Sequence, residues 1–216
     1  MVGTSPRRSP LRSTLFPAAV AWLLCVLTVP AAAQGPSKSA GASATATKPD
    51  SNVRKAVVIE GDDHLFMVVA PKGWVLDDTS GLGSRIRCVF YPKGQTWAAA
   101  PTVMYVNPMH GYGLKERTVS KMIAENEREF HQRAPKGRIV EAGTLKTAAG
   151  KSAKVRHFAY DGGEPTEAVA FVPESELVML VVLSAHDTKG FQSGLGPFRE
   201  LVSTYAWVGS NKEFGR

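Results

Sequence analysis

Few side chains in this chain could do acid–base, nucleophilic or metal chemistry, and their spacing decides what they could do. The histidines are His64, His110, His131, His157 and His186, and the cysteines are Cys25 and Cys88. A zinc hydrolase needs two histidines one helical turn apart, and no two histidines here stand three or four residues apart. The two cysteines lack the close second partner that a zinc ribbon, a haem attachment or a thioredoxin pair requires. Ser184-Ala185-His186-Asp187 holds the residue types of a triad almost side by side, whereas triads draw their members from separate parts of a chain. Gly81-Leu82-Gly83 and Gly111-Tyr112-Gly113 lack the further glycines of a dinucleotide fingerprint, and no P-loop or Gly-x-Ser-x-Gly elbow occurs. The expectation is a non-catalytic protein with no catalytic residues, no metal and no cofactor.

Cys88 would serve as a nucleophile only with a base beside it to lower its pKa. Its alternation with Ile86 and Phe90 places it on the apolar face of a strand, where a free cysteine acts as a small core residue. His157 alternates with Val155 and Ala159 and reads as a buried histidine satisfied by a backbone carbonyl, while His64 and His186 fall at strand ends. Two segments, Lys93 to Ala100 and Asn107 to Lys115, put Trp97, Met109, His110 and Tyr112 among glycine and proline, where a core would not require them. Residues of this kind anchor partners, so these four are the candidate partner-binding set. The competing reading has Trp97 and Tyr112 capping the open end of the fold.

The elements that position these groups are mostly strands. Lys55 to Glu60 and His64 to Ala70 are β-branched and apolar and flank Gly61-Asp62-Asp63, which predicts a hairpin. The second run ends at Pro71-Lys72-Gly73-Trp74. Arg85 to Tyr91 alternates as a half-buried strand, and Pro101 to Val106 forms another. From Thr118, a plausible N-cap, the period becomes helical through Val119, Met122, Ile123 and Phe130, and Pro135-Lys136-Gly137 stops it. Arg138 to Thr147, Lys151 to Tyr160, Thr166 to Val172 and Leu177 to Ser184 follow as an antiparallel meander. The last is apolar throughout Leu177 to Leu183, so both its faces should be covered. A final helix carries Phe191, Leu195, Phe198, Leu201 and Val202. Gly194, Gly196 and Pro197 predict a short first turn, a break, and a regular helix from Pro197. Trp207 then closes against the core.

The first 33 residues read as an export signal: Arg7, Arg8 and Arg12 precede the apolar run Leu15 to Val29, and Ala31-Ala32-Ala33 offers a cleavage site before Gln34. The apolar run is short for a membrane span and is bracketed by Pro17 and Pro30. Sec and twin-arginine export both remain open. Segment 34–55, rich in Ala, Ser, Thr and Lys, buries too little to order itself and is expected to be a disordered tether. Charge follows this division. Of the formal +7, the leader's three arginines account for +3, and Lys38, Lys48, Arg54 and Lys55 against Asp50 for another +3, which leaves +1 for residues 56–216. A near-neutral domain argues against a nucleic-acid partner. The expected organisation is a signal peptide at 1–33, the tether at 34–55, one domain at 56–210 and a tail at 211–216.

A strand ending in Pro-x-Gly-Trp (Phe66 to Trp74), a mid-chain amphipathic helix, a long meander and a C-terminal helix ending in Ser203-Thr204-Tyr205 together resemble the PsbP-like family, which includes DcrB-like envelope proteins. The resemblance covers about residues 56 to 208. It implies an α+β fold, a three-layer α/β/α sandwich with a mainly antiparallel sheet and helices on both faces. It also implies action by binding other proteins and brings no catalytic set. Function does not follow from fold alone. The expectation is a periplasmic or secreted accessory module, cleaved near Ala33, that binds a protein partner in the cell envelope, with no nucleic acid and no stable membrane span. The alternatives are a small envelope hydrolase using His110 or His186 and a carrier of a small apolar ligand between helix and sheet.

Overall fold

The computed structural model describes residues 54–111, 118–160, 163–175, 177–210 and 213, all within the second of the chain's two units, Ser51–Arg216. The expected signal peptide and its cleavage at Ala33, residues 34–53 of the expected tether, Tyr112, and the 211–216 tail apart from Glu213 lie outside the described residues. The domain is α+β, with two helices and antiparallel sheets among the described residues.

The chain opens with β1 (Val57–Glu60) and β2 (His64–Val68), paired across Gly61-Asp62-Asp63 as the hairpin pattern requires. Next come β3 (Trp74–Asp77), β4 (Cys88–Pro92) and β5 (Thr102–Met109). Helix α1 (Val119–Arg133) begins at Thr118, whose hydroxyl accepts from the Lys121 N–H at 3.3 Å. Strands β6 (Arg138–Lys146), β7 (Ser152–Ala159), β8 (Glu167–Pro173) and β9 (Val178–Ala185) form the meander. Helix α2 (Thr188–Thr204), capped by Asp187 on the Gly190 N–H, and β10 (Ala206–Ser210) end the domain. The strands sort into a seven-stranded sheet, β3-β4-β5-β9-β8-β7-β6, and a separate three-stranded sheet, β1-β2-β10.

Several expectations need correction. Helix α2 is continuous where a break was expected, and Pro197 lies inside it. The nearby glycine serves packing: a Cβ on Gly194 would lie 2.7 Å from Leu183 Cδ1 and 3.2 Å from Thr102 Cγ2, so α2 is pressed against β9 and β5 there. Proline costs one i−4 hydrogen bond, which burial of Phe191, Phe198, Leu201 and Val202 offsets at about 1.5–3 kcal/mol per large apolar side chain. Strand β4 starts at Cys88 and not at Arg85, because Arg85 (φ 59°) closes a 3-10 turn over Leu82–Ser84. Strand β5 runs on to Met109 by pairing Asn107, Pro108 and Met109 with β9. Its pairing with β4 stops at Val106, so Pro108 sits at a local edge, the setting that tolerates a proline. Trp74 starts β3 rather than ending a run, whereas Trp207, in β10 and paired with Phe66, packs against the core as expected.

The buried side chains form two clusters. One gathers Met179, Val181 and Leu183 of β9 and Ala168, Ala170 and Val172 of β8 with α2 and with Phe66 and Val68 of β2. The other takes the alternate residues, Val178 and Val182 of β9 and Val169 and Phe171 of β8, with Met122, Ile123 and Phe130 of α1. This two-sided use explains the unbroken apolar run at Leu177 to Leu183, since neither face of β9 is left to water.

Candidate functional site

Three of the four residues expected to bind a partner, Trp97, Met109 and His110, are among the described residues. Trp97 is half-buried and meets the Tyr105 ring edge-on, with centroids 6.4 Å apart at 87°. Met109 lies four residues beyond Tyr105 on β5, about 13 Å along a strand, and packs against the α1 cluster. His110 Nδ1 stands 3.6 Å from Asp63 Oδ2. The histidines of the hydrolase alternative are also separated. His110 follows Met109, which pairs with Val178, and His186 follows Ala185, which pairs with Thr102. They therefore sit at opposite ends of the β5–β9 ladder, on the order of 25 Å apart.

Three groups with chemical potential are structural. Cys88 is fully buried, and burial, with Asp78 and Asp77 adding to it, pushes its thiol well above the usual range, so the thiolate that a nucleophile needs is disfavoured. His64 is 2% exposed. Its ring stacks on Phe66 (5.9 Å) and Trp207 (5.7 Å), and its Nδ1 lies 2.8 Å from Asp63 Oδ1. The ring occupies the space where a Cβ on Gly61 would sit, 2.3 Å from Cε1, which is why this turn takes glycine. Burial works to raise the Asp63 carboxyl, but the His64 hydrogen bond and the charges of His110 and His64 hold it below its ordinary value. His157 departs from expectation: it is half-buried and meets Phe191 edge-on at 5.1 Å, and burial with the nearby Arg199 lowers its pKa.

Sequence reasoning missed a polar group at the margin of the α1 cluster. Glu167, the first residue of β8, accepts a hydrogen bond from the Tyr160 hydroxyl at 3.4 Å. Burial pushes its carboxyl up to about 7, with Arg133 and Tyr160 pulling the other way. Burial also raises the Tyr105 and Tyr160 hydroxyls, and Glu167 adds to both. By solvent exposure Glu167 is half-buried, so the desolvation acts on a carboxylate at the edge of the core beside the Tyr160 hydroxyl and not on one sealed within it. The available signal was an acidic residue heading the apolar run of β8.

Sequence reasoning also passed over a repeated tripeptide. Pro71-Lys72-Gly73 and Pro92-Lys93-Gly94 each form a tight turn, closed by Trp74 N–H to Pro71 O at 3.0 Å and Gln95 N–H to Pro92 O at 3.1 Å. Each glycine sits at positive φ, 80° at Gly73 and 88° at Gly94, which a side chain would resist. The turns are joined, since the Lys93 N–H donates to Gly73 O at 2.8 Å. They border an open cleft of about 390 Å³ lined by Arg54, Ala70, Pro71, Lys72, Gly73, Trp74 and Lys93. Arg54, expected in the tether, donates to Ala70 O at 3.0 Å and pairs with Glu200 of α2. The other carboxylate oxygen of Glu200 accepts from the Lys72 N–H at 3.2 Å. From Lys93 a loop exposed except at Trp97 and Ala100 leads to β5, and Trp97 does not line the cleft.

No family model matches the chain, and no curated protein matches it. The structure is similar to the solution structure of cyanobacterial PsbP (CyanoP) from Synechocystis sp. PCC 6803, a member of the family that the sequence pattern resembles. The identity is 10%, the match covers 66% of this chain and 86% of that one, and the TM-score is 0.42. No helix of the described residues is long and apolar enough to cross a membrane.

Proposed function

We propose that this protein is an exported, non-catalytic binding or accessory module that acts through protein–protein contacts in the cell envelope. Its leader is cleaved near Ala33 and residues 34–53 tether the domain, on the strength of the arginine, apolar and small-residue order of the N-terminus. The domain is a three-layer α/β/α sandwich, a reading supported by the alternation of β8 and β9 side chains between the α1 and α2 clusters. One observation carries the functional reading. The loop at 93–99 is exposed on both sides of Trp97, while Trp97 itself is held by Tyr105. An aromatic ring fixed in place with one side to solvent gives contact area at little entropic cost. Met109 and His110, at the far end of β5, form a second contact patch in this proposal, and Tyr112 is assigned to the partner-binding set from its sequence alone.

The test compares the mature chain from Gln34 with its Trp97→Ala variant in affinity capture from envelope extract. We expect discrete proteins retained by the wild type and lost with Trp97→Ala, whose melting temperature falls by only about 2–6 °C for a half-buried ring. Capture unchanged by Trp97→Ala, together with a larger fall in melting temperature, would make Trp97 a core cap and overturn the reading.

A further inference from the structure

We propose that the cleft between the two Pro-Lys-Gly turns binds the carboxylates of an acidic peptide segment of the protein partner, an inference that rests on reading the protein as a protein-binding module. Three cations, Arg54, Lys72 and Lys93, line the cleft with the half-buried indole of Trp74. The carboxylate of Glu200 is held on Arg54 and on the Lys72 backbone N–H. This arrangement shows the chemistry that the cleft accepts: a side-chain carboxylate with a guanidinium on one oxygen and a backbone N–H on the other. Among the described residues no carboxylate forms an ion pair with the ammonium group of Lys72 or Lys93, so with Arg54 answered by Glu200 the cleft retains two positive charges.

The two lysines share a backbone setting. Lys72 and Lys93 occupy the same position of equivalent turns, and the Lys93 N–H to Gly73 O bond fixes one turn against the other. Glycine at the next position lets each turn close without strain, which gives the flexible lysine stems fixed roots. Two exposed lysines on fixed roots, beside an apolar ring, match two acidic side chains of an extended peptide with an aliphatic group laid on Trp74. Charge complementarity of this kind contributes mainly to encounter rate and to selection among partners. Individually exposed ion pairs are weak, so the effect depends on the set and not on either lysine alone.

The probe is a capped hexaglutamate peptide titrated into the 15N-labelled mature chain, with hexaglutamine and hexagalacturonate as controls. We expect hexaglutamate to shift the amides of Lys72, Gly73, Lys93 and Gly94 and the Trp74 indole N–H, with affinity falling steeply as salt rises. Hexaglutamine should leave them in place. The double variant Lys72→Glu with Lys93→Glu changes only exposed side chains, and it should keep the wild-type spectrum elsewhere and weaken hexaglutamate binding at least about tenfold. Absence of shifts at these positions, or undiminished binding by the double variant, would overturn the assignment. Hexagalacturonate binding tenfold more tightly than hexaglutamate would also overturn it, by putting a saccharide in the cleft. Failure of hexaglutamate with Trp97-dependent capture intact defeats the cleft alone, whereas loss of both defeats the binding-module reading beneath it.

Discussion

The two buried clusters use the same strands and differ in what covers them. The α2 cluster is closed by a helix that buries Phe191, Gly194, Phe198, Leu201 and Val202 and by side chains of the three-stranded sheet such as Phe66. The α1 cluster is covered by a helix that buries only Met122, Ile123 and Phe130, and its margin holds Tyr105, Tyr160 and Glu167. The polar groups against the α2 cluster, such as His64, Thr102 and Tyr205, are themselves buried, while the α1 cluster grades into titratable and aromatic groups that reach solvent. The stability of this domain should therefore be concentrated on the α2 side, with its sensitivity to solution conditions on the α1 side.

The largest expected effect tests this asymmetry. Phe198 is 1% exposed between α2 and the sheet, and Phe198→Ala should cost about 3–5 kcal/mol because its rigid surroundings cannot collapse. Phe130 is equally buried, but its ring contacts include Tyr160, which is 38% exposed and can move inward. Phe130→Ala should therefore cost less, at the low end of that range, about 3 kcal/mol, by the same cavity argument. Equal losses in urea denaturation of the two variants would break the comparison.

For physical reasons the sequence carried the apolar elements on both faces of the sheet, although it placed a break in α2 that the helix does not have. Periodicity is written by burial, so the run from Leu177 and the heptad-like spacing of Phe191, Phe198 and Leu201 announced elements covered by apolar neighbours. Helix α1 was legible from Thr118 to Pro135 because its cap and its stop are local. Strands β3 and β10 were not, since four or five residues adjoining a turn or a helix end hold too few alternations to show a period. The split into two sheets was hidden as well, because strand pairing is non-local. At the candidate site, Trp97 could be read as an amphipathic group outside the core, but its contact with Tyr105 depends on tertiary placement. The cleft was overlooked because Pro-Lys-Gly reads as punctuation until two such turns come together.

A smaller effect should appear on the α1 side as a function of pH. The Glu167 carboxyl is raised to about 7 in the folded protein from 4.5. Below 4.5 both states hold the proton and the group costs nothing. Between 4.5 and 7 the unfolded chain releases its proton first, so stability falls as pH rises, and the loss is complete above 7. Allowing for partial exposure of Glu167, the loss is about 2 kcal/mol. Glu167→Gln keeps an acceptor for Tyr160 and removes the charge. It should match the wild type near pH 4 and exceed it in stability by about that amount near pH 8. Parallel stability profiles for the two proteins across that range would refute a buried, raised carboxyl and remove the margin's distinctive character.

The smallest effect concerns a buried polar pair on the α2 side. Tyr205 is 1% exposed, with its ring stacked on Phe66 at 5.8 Å, and its hydroxyl approaches the carboxylate of Glu174. Burial raises the Glu174 carboxyl, and its pair with Lys151 and the nearby phenol pull it back. Yet neither Tyr205 Oη nor Glu174 Oε1 completes a hydrogen bond of good geometry among the described residues. A buried donor or acceptor left unmade costs about 1–3 kcal/mol, so removing the hydroxyl relieves one such cost and leaves the other on Glu174. Tyr205→Phe retains the stacked ring and should therefore change stability by no more than about 1 kcal/mol in either direction. A loss above about 2 kcal/mol in the same denaturation measurement would mean that the phenol and Glu174 do bond in solution. The closed cluster would then rest in part on a buried polar pair, and its contrast with the α1 side would be one of degree.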